Sequence, residues 1–329
     1  MLQFVNVDRI LAEIQLEPIQ GSRFQPTGFP SLGPAEFSDV SNGNVNSLLV
    51  ESAQSMANRL ELVCWNKEDS RLVKELQGMP IINVINKDDN VFLTNSLLEA
   101  HRMNSSYILE GEDKSLLDTL KSELQTDKTK SINIAEMARF ALKYDPNSIL
   151  HGLFISKSDI AGGRYKMTRS LSSFIEAHNI RQVVSGGVKL DHVDPKGGDA
   201  GAEKGFGHIP FSRTEYSAES ITAFFNIDLA LIKSYSLGDT ANEFLLTLAM
   251  WKIQKFLKFG LRLRTACDLK VKGKLKVTHP DSVSIPNIDS LDKDVIHLIK
   301  KCKDEKLFTD KPITIKYKSG KAGKTKQTE

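Results

Sequence analysis

The chain of 329 residues has only three cysteines, Cys64, Cys267 and Cys302, widely spaced and odd in number. Such a set builds no disulfide framework and fits no zinc-ligand spacing, so a reducing cytoplasm is the expected compartment. No run of 18 or more apolar residues occurs, and no membrane span is expected. The opening "MLQFVNVDRILAEIQLEPIQ" lacks a basic segment ahead of an apolar one, so no signal peptide is expected there. The seven histidines do not pair at metal-binding helical spacings. No Gly-x-Ser-x-Gly elbow occurs. "GGDAGAEKGFG" is no phosphate loop, because Lys204 precedes Gly205 and no Ser or Thr comes next. "GFGHIP" puts Pro210 where a dinucleotide fingerprint needs its third glycine. His192 with Asp191 and Asp194 offers one metal or acid–base arrangement, which a turn rich in Asp, Pro and Gly explains equally. His151 and Asp228 sit within apolar patterns and read as hydrogen-bonded structural groups. No convergent set of acids, bases or ligands can be assembled. The expectation is a protein that is not an enzyme and takes no metal or cofactor.

What is present is ordinary globular composition, 40% apolar and 26% charged, in a chain long enough for one large domain or two smaller ones. The net charge of +3 is unevenly spread. Residues 1–150 hold 14 basic against 21 acidic side chains; residues 151–329 hold 30 against 20. A polyanion partner for the second half is one reading, and a solvated lysine-rich surface is the other.

Periodicity predicts the elements. Asp8 caps a short helix that turns Ile10, Leu11 and Ile14 inward. Glu51 to Leu60 is helical, with a strand starting at Leu62 to Trp65. Asn95 or Ser96 caps a segment carrying Leu97, Leu98 and Met103. Residues 110–132 read as an inserted exposed helix and linker. "INIAEMARFALKYDPNS" is a helix stopped at Asp145-Pro146. "ILHGLFIS" reads as a buried strand, and a helix is expected from a cap near Thr168. Residues 183–213, with glycines at 197, 198, 201, 205 and 207, suit a projecting arm. "ITAFFNIDLALIKSY" reads as a central strand. Thr240 and Glu243 form a capping box for a helix that Gly260 ends. "LRLRTACDLKVKG" and "PITIKYK" alternate as strands, the latter with Ile313, Ile315 and Tyr317 on one face. The end, "KSGKAGKTKQTE", reads as a basic disordered tail.

Cations gather in 151–276. Arg164, Lys166 and Arg169 would stand at a helix mouth, where free N–H groups favour phosphate. Lys252, Lys255 and Lys258 would run down one flank of the capped helix, with Arg262 and Arg264 on the next strand. Arg213 follows Phe211 at the exit of the arm. Each cluster alone is explained by snorkelling or a surface ion pair; their joint placement points to nucleic acid. "GSRFQPTGFPSLG", Gly21 to Gly33, is a nearly uncharged loop with one arginine. It is less polar than an ordinary surface loop; on the resemblance given next it would be an ordered platform for RNA, the alternative being an inert connection tucked on the core.

"RFQPTGFPSLG", "LVESAQSMANRLE", "EAHRMNSSYI", "YDPNSILHG", "AGGRYKMTRSLSSFIEA", "SGGVK" and "GLRLRTACDL" resemble the RAMP protein of type I-G (formerly I-U) CRISPR systems, the Csb-one or Cas-seven group. The likeness runs from residue 20 to about 270. It implies an α+β fold with an RRM-like (ferredoxin-like) palm, inserted fingers and a thumb, here 183–213. One such domain would span 1–310, followed by a final strand and tail in 311–329. It implies a Cascade backbone subunit, copies of which line up head to tail along CRISPR RNA and present the guide to target DNA. Other Cascade subunits (a large subunit and a Cas-five/Cas-six type fusion subunit) and a helicase–nuclease are the implied partners. On this resemblance the expected RNA contacts are Arg23, Gln25, Phe29, Arg59, Arg102, Arg164, Lys166, Arg169, Lys189, Arg213, Lys255, Arg262 and Arg264. Related type III backbones carry an RNA-cutting acid, so a metal-dependent RNase using Asp191, Asp194 or Asp199 is the rival reading.

Overall fold

The computed structural model describes residues 6–29, 31–196 and 202–318. Its first element departs from the expected helix. Arg9–Pro18 is a strand, β1, because the buried residues Ile10, Ala12, Ile14 and Leu16 alternate with half-buried or exposed ones. Leu11, placed inward by a helical reading, is only half-buried.

β1 lies inside a seven-stranded sheet with β2 (Glu36–Asp39), β3 (Val45–Glu51), β4 (Leu171–Lys189), β5 (Ile209–Asp228), β6 (Arg262–Arg264) and β7 (Cys267–His279). The order across the sheet is β6-β7-β1-β5-β4-β3-β2, and every neighbouring pair is antiparallel. The fold is thus α+β around a large antiparallel sheet. β5 is the expected central strand, but it ends at Asp228, whose carboxylate accepts from Leu231 N and caps a helix over Leu229–Ser234. β4 occupies the place where a helix from Thr168 was expected. Its inward positions Leu171, Ser173, Ile175 and Ala177 are buried at strand period.

Two helices cover the inner face: α1 (Ala53–Leu62), capped by Ser52, against β4, and α3 (Asp239–Phe259) against β5, where Phe225 meets Phe256 edge-on. Between them in the chain comes α2 (Ile134–Tyr144), which ends at Asp145 as expected. α4 (Ile288–Asp304) lies outside α3, and the buried Trp251 Nε1 donates to Asp292 across that contact at 2.7 Å. Thr240 does not cap α3: the N-cap is Gly238, and the Thr240 hydroxyl donates to Glu305. Gly260 ends the helix. The stretch read as one strand over 149–155 divides at Gly152 into a short helix, Asn147–His151, and a strand, Leu153–Ile155. Within 110–132, the helix Ser115–Glu123 buries Leu116, Leu117 and Leu120, so it packs on the body instead of standing exposed. Asn95 caps only a turn, accepting from Leu97 N and Leu98 N. The strand Ile313–Tyr317 pairs in parallel with Ile82–Asn86, tying the C-terminal part to a small second sheet. Of the expected basic tail, 318–329, all but Lys318 lies outside the described residues.

A charged network sits inside the body. Arg102 grips Glu61 through two bonds of 2.7 and 2.9 Å. Asn147 donates to Glu61 and accepts from Lys252, whose ammonium also meets His151 Nε2 at 3.0 Å. Lys252 is fully buried on α3, not on an exposed flank. Burial, then the Lys252 charge, holds His151 well below the ordinary imidazole range, so its ring is neutral and accepts.

Candidate nucleic-acid interface

The loop after β1 is tied down at its backbone. Ile19 N donates to Asp268 O, Gln25 N to Ala266 O and Thr27 N to Val50 O. Phe24, 1% exposed, exchanges both backbone hydrogen bonds with Tyr216 on β5. Gly28–Phe29 folds back on Gly33–Pro34. Prolines and glycines set this path, and neighbouring strands satisfy its amides, which is why few charges are needed. Gln25 acts here through its backbone, since its carbonyl also accepts from Arg264 Nη1 at 2.9 Å. The Phe29 side chain lies outside what is described. Arg23 is 55% exposed and faces Glu215 at 3.3 Å.

Beneath the loop is a carboxylate held by two arginines. Glu51, fully buried at the end of β3, accepts from Arg59 at 2.6 Å and from Arg264. Arg59 also donates to Leu263 O, and Arg264 to Val50 O. Both guanidiniums thereby join α1, β3, β6 and the loop.

The arm follows from register. β3 flanks β4 only from Ile175 to His178, and β1 flanks β5 only as far as Ile221. The hairpin continues past both to Lys189 and Ile209 as a two-stranded ribbon. The segment 183–196 and 202–213 is therefore a projecting two-stranded ribbon; Gly197, Gly198, Asp199 and Gly201 lie outside the described residues. On one of its faces the pairs Gly187–Phe211, Ser185–Arg213 and Lys189–Ile209 follow one another. Phe211 is 46% exposed, and the Arg213 guanidinium lies over its ring, 5.1 Å from the centroid. Lys189 is exposed and without a partner among the described residues. A flat ring, a stacked arginine and a free lysine on one exposed face can take a base and its phosphates.

The other expected contacts divide sharply. Arg102 is buried on Glu61. Arg164 donates to the carbonyls of Ala161, Lys128 and Lys130, binding a loop to the body. No helix begins after it, so the argument from helix N–H groups does not apply to Arg164, Lys166 or Arg169. Lys166 is exposed on the strand Tyr165–Met167, with no partner among the described residues. Arg169 donates to Gln54 at 2.6 Å; burial and then the Arg102 charge push its guanidinium below the ordinary range. Lys255 sits between Glu75 at 2.8 Å and Asp292 at 3.3 Å. Arg262 is exposed and unpaired among the described residues. The loop, arm root and β6 thus bring together Arg23, Gln25, Arg213 and Arg264. Arg102 and Arg164 stand apart as structural anchors. Phe211 is not among the expected contacts; its signal in the sequence is Gly187, which faces it across the ribbon.

Asp191 belongs to the arm's turn: its carboxylate accepts from the backbone N–H of Asp194, Gly207 and Val193, which stabilise the ionised form and hold its pKa below the ordinary carboxylate value. Among the described residues no three His, Cys, Asp or Glu side chains are grouped to hold a metal ion. Among them, too, no helix is long and apolar enough to cross a membrane.

Among solved structures, a chain of a "CRISPR RNA-guided surveillance complex, pre-nicking" is similar over 80% of this chain and 73% of its own, with 13% identity and a TM-score of 0.40. The crystal structure of Thermofilum pendens Csc2 is similar over 93% and 79%, with 9% identity and a TM-score of 0.31. No curated protein matches. The family described as CRISPR-associated protein GSU0053 (Cas_GSU0053) matches residues 10–182, more than half of the chain. The chain belongs to this CRISPR-associated family.

Proposed function

We propose that the protein is a backbone subunit of a type I-G CRISPR effector complex of the Cascade kind. It binds CRISPR RNA along the ribose-phosphate chain without reading its sequence, lines up with further copies of itself, and presents the guide for pairing with target DNA. The observation that carries this reading is the arm face, where exposed Phe211, stacked Arg213 and free Lys189 share one side of a ribbon that has left the sheet. The family supports the setting. An RRM-like palm is supported by four sheet strands and two helices. In chain order β1, α1, β4, β5, α3 and β7 run β-α-β-β-α-β, with both helices on one face. In this reading phosphate contacts position the strand and base pairing supplies specificity. Other subunits of the complex and a helicase–nuclease complete the machinery, and this chain breaks no bond.

The test is to purify the protein with co-expressed repeat transcripts, read its absorbance ratio, and sequence what is bound. Guide-length CRISPR RNA supports the reading; nucleic-acid-free monomer contradicts it. Incubating the loaded protein with complementary RNA and Mg²⁺, beside a chelator control, separates the scaffold from the rival RNase. Intact target is expected, and regularly spaced cuts would establish the RNase.

A further inference from the structure

α1 and α3 end side by side, and a cleft of about 460 Å³ opens between their last turns and the segment that follows α1. Its apolar wall is Leu62, Val73 and Trp65, and Phe259 stands at its edge. At 68% exposure Phe259 is the most exposed aromatic side chain among the described residues. Lys255 and Lys258 ammonium groups lie 5.9 and 5.3 Å from its ring centroid.

Some of the positive charge here has a structural explanation. Arg59 and Lys258 are the basic residues of the two last helical turns, where cations offset the helix dipole. Arg59 is also held by Glu51, and Lys255 by Glu75 and Asp292. Lys67 and Arg262 have no such explanation. Neither is on a helix, both line the cleft, both are exposed, and neither has a carboxylate partner among the described residues. Two unpaired cations beside an exposed ring over an apolar wall suit a planar base joined to phosphates. The cleft volume is that of a small-molecule site.

The cleft also continues the surface already described. Arg262 opens β6, and Arg264, two residues on and about 7 Å away along a strand, holds the carbonyl of Gln25. The loop carrying Arg23 reaches the root of the arm through Glu215.

We propose that this cleft is a nucleotide subsite for single-stranded RNA, in which Phe259 stacks a base and Lys67 and Arg262 take the adjacent phosphates. The inference rests on the RNA-binding reading above and extends it to a place that reading does not need.

The experiment is fluorescence anisotropy with a labelled 12-residue oligouridine, using the full chain, Phe259→Ala, Phe259→Trp and the double variant Lys67→Ala/Arg262→Ala. Phe259→Ala is expected to weaken binding about 5- to 150-fold, the range for one stacked base, with the melting temperature unchanged. Phe259→Trp is expected to retain affinity and to show its indole fluorescence quenched by RNA. The double variant is expected to lower the slope of log affinity against log salt by about 1.4. Wild-type binding with unaltered Phe259→Ala affinity overturns the subsite and leaves the RNA reading intact. If that variant instead loses self-association at unchanged RNA affinity, the cleft is a protein-docking site and the subsite is again overturned. A wild-type chain that ignores the oligonucleotide overturns the RNA reading itself, and the subsite with it.

Discussion

The tip of the Phe211 ring packs against Gly187: a Cβ placed on that glycine would come within 3.1 Å of the ring's Cζ. The glycine leaves the room that lets an aromatic side chain lie on a two-stranded ribbon with Arg213 stacked on it. Gly187→Val therefore displaces the ring without touching the body of the protein. Phe211→Ala and Gly187→Val should each reduce affinity for single-stranded RNA about fivefold or more by filter binding or anisotropy. The urea midpoint should stay near the wild-type value, because the ring is already half exposed. Equal affinity across the series would remove the arm from the RNA path.

Glu51 ties the opening loop to the sheet through Arg59 and Arg264. Glu51→Gln keeps the shape and leaves two guanidiniums without their counter-charge. Removing one partner of a buried pair costs about 3–5 kcal/mol; the low end, about 3, is expected because both arginines keep some solvent contact. Urea unfolding measures this directly. Hydrogen exchange should rise at Phe24 and Gln25, whose amides close the loop onto Tyr216 and Ala266. A midpoint equal to wild type would show that the clamp is unnecessary.

Asp145 gives the protein a pH-dependent term. Burial first, and Glu61 nearby, push its carboxyl up from the ordinary 3.8 to about 6, against the opposing hydrogen bond from Ser148. Between about pH 4 and 6 the folded chain keeps a proton that the unfolded chain has lost. Stability from this group therefore falls as pH rises through that window, and the penalty is complete above about 6. Asp145→Asn keeps an acceptor for Ser148 and cannot ionise. It should be more stable than wild type by up to about 3 kcal/mol at pH 8, with the gap closing near pH 4. A gap independent of pH would contradict the assignment.

Much of the fold was legible where apolar residues were dense. α2, α3, β5 up to Asp228 and the hairpin arm follow from their own patterns. The first half of β4 fits a helical pattern because two of its four inward positions are Ser173 and Ala177, which hide the two-residue period. β1 was misread because "DRILAEI" also satisfies a helical pattern, and only pairing with β5 and β7 decides between the two. In the candidate site, the isolated arginine of the opening loop marked a place where chain segments converge. What could not be read was which cations are already taken. Arg264 meets Glu51 across 213 residues of sequence, and Arg102 meets Glu61 across 41. No local pattern separates such arginines from a free one like Arg262.

The most direct test of phosphate-led, sequence-independent RNA binding is the salt dependence of affinity, measured on two unrelated single-stranded RNA sequences from 50 to 300 mM NaCl. With about six phosphates neutralised by each protomer, log affinity should fall against log salt with a slope of about −4, the same for both sequences. A slope near zero, or binding confined to one sequence, would contradict the account.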